Sequence, residues 1–119
     1  MPTLIVYGIS VSVGTGELEK LIPHLQLMVD GTSGLGVKAN DVSVFIPTDR
    51  VSKGLGEEII ILICGLEKKP QTTSAVLREL AGRVGGGTKH FFKDALVEVY
   101  IQPMDKELCW SSKNEQNNK

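Results

Sequence analysis

The chain resembles itself, and that internal repeat constrains its fold more than any single residue does. Val42-Ser43-Val44-Phe45-Ile46-Pro47-Thr48-Asp49-Arg50 aligns with Val97-Glu98-Val99-Tyr100-Ile101-Gln102-Pro103-Met104-Asp105-Lys106, with one inserted Gln. Both stretches read V-x-V-aromatic-I, then Pro, a spacer, Asp and a basic residue. Upstream, Leu4-Ile5-Val6-Tyr7-Gly8-Ile9 matches Ile61-Leu62-Ile63-Cys64-Gly65-Leu66. Each half therefore opens and closes on a strand-like run. The closing runs alternate, with Val97, Val99 and Ile101 on one face and Glu98, Tyr100 and Gln102 on the other. The opening runs are almost continuously apolar and β-branched, the pattern of central strands covered on both faces.

Between the strands of the first half, Leu18, Leu21, Ile22, Leu25, Met28 and Val29 recur at three- and four-residue spacing, which predicts a helix over 17–30. Pro23 is expected to kink it or to mark a restart, and Gly31 to Gly36 to stop it. In the second half Pro70 with Thr72 or Thr73 supplies a start signal. Leu77, Leu80, Val84 and Phe91 then stay in helical phase across Gly85-Gly86-Gly87. Phase predicts one helix, whereas three glycines, each about 1 kcal/mol poorer than alanine, predict a weak point where a neighbouring backbone comes close.

The expected fold is α+β: duplicated β-α-β units forming a four-stranded mixed sheet with two helices on one face. Parallel strands joined by a crossover helix pack right-handed, which puts both helices on the same side. The other face would be bare, so it should be buried against other subunits. With 119 residues there is room for one domain, read as 1–110, followed by a polar tail at 111–119.

Composition narrows the function. Thirteen Lys and Arg against fourteen Asp and Glu leave a formal charge of −1, so no summed field attracts nucleic acid or anionic lipid. Aromatics at 5% are too few for base stacking. No apolar run approaches the roughly 18 residues of a membrane span, and the first residues lack a basic signal-peptide region. Cys64 and Cys109 have no metal-ligand or redox spacing. A cytoplasmic protein without metal or cofactor is the expectation.

Few residues invite chemistry. Gly14-Thr15-Gly16 opens like a dinucleotide loop, but Glu19 stands where the third glycine belongs. His24 and His90 fall in helical stretches with no nucleophile at a telling spacing. Asp49-Arg50 and Asp105-Lys106 follow strand-ending prolines and read first as turn residues. Pro2 remains. A small second residue permits removal of the initiator methionine, which exposes a secondary amine at the first residue of a central strand. An α-amino group starts near a pKa of about 7.7–8.0. An apolar pocket penalises its charged form, so a neutral amine could accept a proton as a general base.

Pro2 directly after Met1, the opening strand Thr3-Leu4-Ile5-Val6, the duplicated β-α-β units and Trp110 after the last strand resemble the tautomerase superfamily. In length the chain is similar to the macrophage migration inhibitory factor and carboxymethyl-hydroxymuconate isomerase branches. The resemblance implies a homotrimer with inward-facing sheets. It also implies a cofactor-independent tautomerase or isomerase that moves a proton on a small keto or enol carboxylate, with Pro2 as base. It assigns substrate contacts to Lys38, to Cys64 and Gly65 on the third strand, and to Tyr100 and Trp110 at the subunit boundary. Arg50 is the alternative anion clamp, delivered by a neighbouring subunit, whereas Lys38 shares the sheet end of Pro2. The chain departs from the family at Glu67-Lys68-Lys69-Pro70, where a glycine-rich turn is usual, and it has no Asn beside Tyr100. The competing reading is a non-catalytic oligomeric ligand-binding or signalling module of the same or a ferredoxin-like fold.

Overall fold

The computed structural model describes residues 2–47, 58–110 and 112. The elements run β1 (Thr3–Tyr7), α1 (Thr15–Asp30), β2 (Ser43–Phe45), β3 (Glu58–Glu67), α2 (Ser74–Phe91) and β4 (Leu96–Met104). Short 3-10 turns occupy Ala39–Asp41 and Lys106–Leu108. The sheet order is β2-β1-β3-β4. β1 and β2 are parallel, β3 and β4 are parallel, and the two apolar strands β1 and β3 meet antiparallel at the centre. This is the α+β, mixed four-stranded arrangement that the repeat implies.

The repeat holds down to register. Leu4 faces Val44 and Ile5 faces Phe45 in the first half; their counterparts Ile61 and Leu62 face Val99 and Tyr100 in the second. Gly8 and Gly65 are also equivalent, and both adopt positive φ, at 89° and 81°. At Gly8 no other residue fits, because a Cβ would sit 2.0 Å from the carbonyl oxygen of Glu58.

Alternation along the strands sends Leu4, Val6, Ile59, Ile61 and Ile63 to one face, where they are buried with Leu21, Leu25 and Val29 of α1 and Leu80 and Val84 of α2. Each such side chain contributes roughly 1.5–3 kcal/mol by leaving water. The opposite face is open. Phe45, Ile5, Leu62 and Tyr100 form a row directly across all four strands, with Phe45 60% and Tyr100 52% exposed.

In both helices the alternative of continuity holds: no restart occurs at Pro23 and no break at the glycines. Pro23 neither restarts nor divides α1, which is one helix beginning two residues earlier than periodicity indicated. Buried Leu21, Leu25 and Val29 anchor the helix on both sides of the proline. Likewise α2 runs unbroken through Gly85-Gly86-Gly87. Side chains, rather than a backbone, come close there. A Cβ on Gly87 would lie 3.0 Å from Nε2 of His24 and 3.1 Å from Cγ of Met28, and one on Gly85 would lie 3.3 Å from a Val99 methyl carbon. The glycines let α2 settle against α1 and the sheet, and that packing outweighs their poor helix propensity. The start signal at Thr73 is real: its side chain accepts the Val76 N–H at 3.3 Å. At the far end of α1, the Nε–H of Arg83 from α2 donates to the Met28 carbonyl at 3.0 Å. Arg83 thereby satisfies a carbonyl that a helix end leaves without a helical partner.

Asp105 behaves as a turn residue, accepting the Glu107 N–H on its carboxylate at 3.1 Å. Its repeat counterpart Asp49, with Arg50, lies outside the described residues, as does the tail at 111–119 except residue 112.

Candidate functional site

Pro2 precedes β1, where its missing N–H costs the ladder nothing. Its carbonyl still accepts the Ser43 N–H at 3.2 Å, which ties it to the start of β2. Because β1 and β3 are antiparallel, the same sheet end receives the end of β3. Thr3 pairs with Cys64 there.

At this point β3 bulges. Ile63 pairs with Ile101 but Leu66 pairs with Pro103, so three residues of β3 answer two of β4. The extra residue re-aims the strand, which explains how Ile63 and Leu66, three apart, are both buried. Gly65 provides the left-handed conformation that the bulge requires.

After β3, Lys69-Pro70-Gln71-Thr72 closes a turn through the Thr72 N–H and the Lys69 carbonyl at 2.9 Å. Pro70 takes the second position that such turns favour. Opposite, the 3-10 turn before β2 closes through the Asp41 N–H and the Lys38 carbonyl at 2.9 Å. The Lys38 N–H also donates to the Asp41 carboxylate at 3.4 Å.

These segments enclose a cleft of about 250 Å³ around Pro2. It is lined by Pro2, Leu35, Gly36, Val37, Gly65 and Leu66, together with Asp41, Glu67, Lys69 and Thr72. Pro2 is buried and Leu35 is 7% exposed, whereas Lys69 and Asp41 face solvent. The site thus combines an apolar base with a charged rim: one ammonium and a carboxylate on each flank of Pro2.

Among the sequence-derived candidates, the structure brings Pro2 and Gly65 together in this cleft. Cys64 is half-buried beside it, its thiol donating to the Thr3 carbonyl at 3.7 Å. Lys38 shares this end of the sheet but is exposed and does not line the cleft. Tyr100 lies on the open sheet face and Trp110 follows the last 3-10 turn, 77% exposed. The Tyr100 hydroxyl donates to the Glu98 carboxylate. That hydrogen bond, and then the negative charge of Glu98, raise the Tyr100 pKa above its ordinary value. Arg50 is outside the described residues.

Lys69, Asp41, Glu67 and Thr72 were not singled out by their sequence pattern. One signal existed for Lys69. A turn directly after the second opening strand must lie beside Pro2 once the opening strands pair antiparallel. Among the described residues no group of three or more His, Cys, Asp or Glu side chains could hold a metal ion, and no helix is long and apolar enough to cross a membrane.

No protein-family model matches the chain, and no curated protein matches it in sequence. Solved structures do. A fused 4-OT described as a wild-type asymmetric trimer superposes with a TM-score of 0.72 at 20% identity, covering 92% of both chains. Malonate semialdehyde decarboxylase gives 0.68 at 12% identity, covering 92% of this chain and 89% of that one. The macrophage migration inhibitory factor-like protein of Entamoeba histolytica gives 0.69 at 9% identity, covering 93% and 95%. At such identities the likeness is one of fold alone: over 92–93% of its length the chain folds as these structures do.

Proposed function

We propose that the protein is a cofactor-independent tautomerase that moves a proton on a small keto or enol carboxylate, with Pro2 as the base. The observation that carries this reading is the position of Pro2, buried at the floor of a cleft rimmed by Lys69. Once Met1 is removed, the Pro2 nitrogen is a secondary amine. It takes the enol hydroxyl proton as the carbonyl forms, and the resulting ammonium delivers a proton to the neighbouring carbon. The amine is regenerated and no electron acceptor is needed. Lys69 anchors the substrate carboxylate by a charge-assisted hydrogen bond, in preference to Lys38, which does not line the cleft. The bulge at Cys64 and Gly65 offers backbone groups that β4 does not use.

The working form is a homotrimer. The row Phe45, Ile5, Leu62 and Tyr100 needs a cover, and the neighbours include fused 4-OT proteins described as trimers. Light scattering at micromolar concentration should return three times the chain mass, and a stable monomer would remove the assembly.

The test of the chemistry is ketonisation of an arylpyruvate enol by protein whose intact mass shows loss of Met1. Turnover should be present in the wild type and fall by about 10²–10⁴-fold in Pro2→Ala. No turnover by correctly processed wild type, or equal rates in the variant, would favour the non-catalytic ligand-binding module of the same fold.

A further inference from the structure

We infer that this cleft selects substrates bearing a single carboxylate, and that Asp41 and Glu67 enforce the selection by rejecting a second negative charge. The inference rests on the reading of the cleft as a carboxylate-binding site. Among the described residues lining it, Lys69 is the cation, and Asp41 and Glu67 are the anions. Their placement follows from topology. Pro2 heads the strand between β2 and β3, so Asp41 arrives from the β2 side and Glu67 from the β3 side. Lys69 comes from the turn beyond Glu67.

A ligand with one carboxylate on Lys69 therefore passes over Pro2 with its remainder between two acidic side chains. A second anionic group in that part would meet like charge at close quarters, with no second cation among the described lining residues to compensate it. Juxtaposed like charges discriminate strongly between partners, and this is how binding sites exclude near-isosteres. A hydroxyl, a carbonyl hydrate or an alkyl end meets no such penalty, and a hydroxyl could donate to either carboxylate. Both acids have capacity for this. Asp41 uses one oxygen on the Lys38 N–H, and the Glu67 side chain has no hydrogen-bond or ion-pair partner among the described residues.

The experiment uses 2-oxopentanoate and 2-oxoglutarate, which differ by a terminal methyl against a carboxylate. Their dissociation constants are measured by calorimetry on the processed full chain at low salt. 2-Oxopentanoate should bind at least about tenfold more tightly. In the Asp41→Asn/Glu67→Gln double variant, both substitutions keep size and acceptor oxygens, and the ratio should fall below about threefold. Lys69→Gln should weaken both ligands. Equal or tighter binding of 2-oxoglutarate by the wild type would overturn the inference, as would a ratio unchanged in the double variant or binding of neither ligand. Turnover is not read in this measurement. Failure of Pro2→Ala to lose activity would refute the catalytic reading alone, and a flat binding ratio would refute the selectivity alone.

Discussion

The two halves of the molecule share a register and differ in what occupies the same positions. Extending the alignment of Leu4 with Ile61, the counterpart of Pro2 is Ile59. Both are buried at the start of a central strand. Ile59 lies within the chain, carries no ionisable nitrogen and is 3% exposed, packed in the core. The duplicated frame thus builds two similar ends of a sheet that differ in what fills them, Pro2 beside the cleft at one and Ile59 in the core at the other. The aromatic pair differs in the same manner. Phe45 and Tyr100 are equivalent and comparably exposed, yet only Tyr100 carries a hydroxyl, bonded to Glu98.

The strongest way to break this comparison is to substitute the paired positions. Pro2→Ala should cost about 10²–10⁴-fold in kcat/KM with little change in stability. Ile59→Ala should instead cost about 2–5 kcal/mol of stability, read from urea denaturation. If both variants lost stability and neither lost turnover, Pro2 would have no special part.

The glycine pair gives the next largest contrast. Gly8→Ala combines a positive φ with a Cβ placed 2.0 Å from the Glu58 carbonyl oxygen. It should destabilise by about 3 kcal/mol or more. Gly65→Ala is expected to cost about 1–2 kcal/mol, the ordinary penalty for the left-handed conformation. Equal losses in calorimetric melting would show that the bulge end of β3 is as confined as the end of β1.

Within α2 the glycines separate by their surroundings. Gly86 has nothing within 4 Å of its Cβ position, so Gly86→Ala should gain about 0.8–1 kcal/mol from helix propensity. At Gly87 the same substitution presses on His24 and Met28, and the gain should be smaller or reversed. An identical gain at both sites would mean that the helices do not need the close approach.

The smallest effect concerns Tyr100. Its raised pKa means that the folded state holds the phenol proton more tightly than the unfolded chain does. The associated stability is present below the unfolded value and is lost as pH rises through the higher folded one. Glu98→Ala removes both the hydrogen bond and the charge, so the ultraviolet titration midpoint of Tyr100 should move down. An unmoved midpoint would assign the shift to other groups.

Much of this fold was legible because its determinants are local or periodic. Alternation in Val97-Glu98-Val99-Tyr100-Ile101 placed Tyr100 on the face opposite Val99. The matched runs around Gly8 and Gly65 anticipated two equivalent strand ends, and Thr73 marked a helix start by a bond spanning three residues. That Pro2 stands directly before a central strand needed nothing beyond its position next to Thr3-Leu4-Ile5-Val6.

The rest depended on partners distant in sequence. Local rules read Pro23 as a kink or a restart and the three glycines as a weak point, since they describe a helix in water. Buried Leu21, Leu25 and Val29, and the approach of His24 and Met28 to Gly87, come only with packing. The rim of the cleft is the clearest case. The sequence pattern pointed to Lys38 as the cation beside Pro2 and did not single out Lys69. The antiparallel pairing of β1 with β3, the bulge at Gly65 and the turn at Pro70 bring Lys69 into the lining of the cleft, which does not include Lys38. A charge's value to a site depends on its distance from the reacting atoms. That distance is set by strand register and loop path between segments more than sixty residues apart, which only the assembled sheet decides.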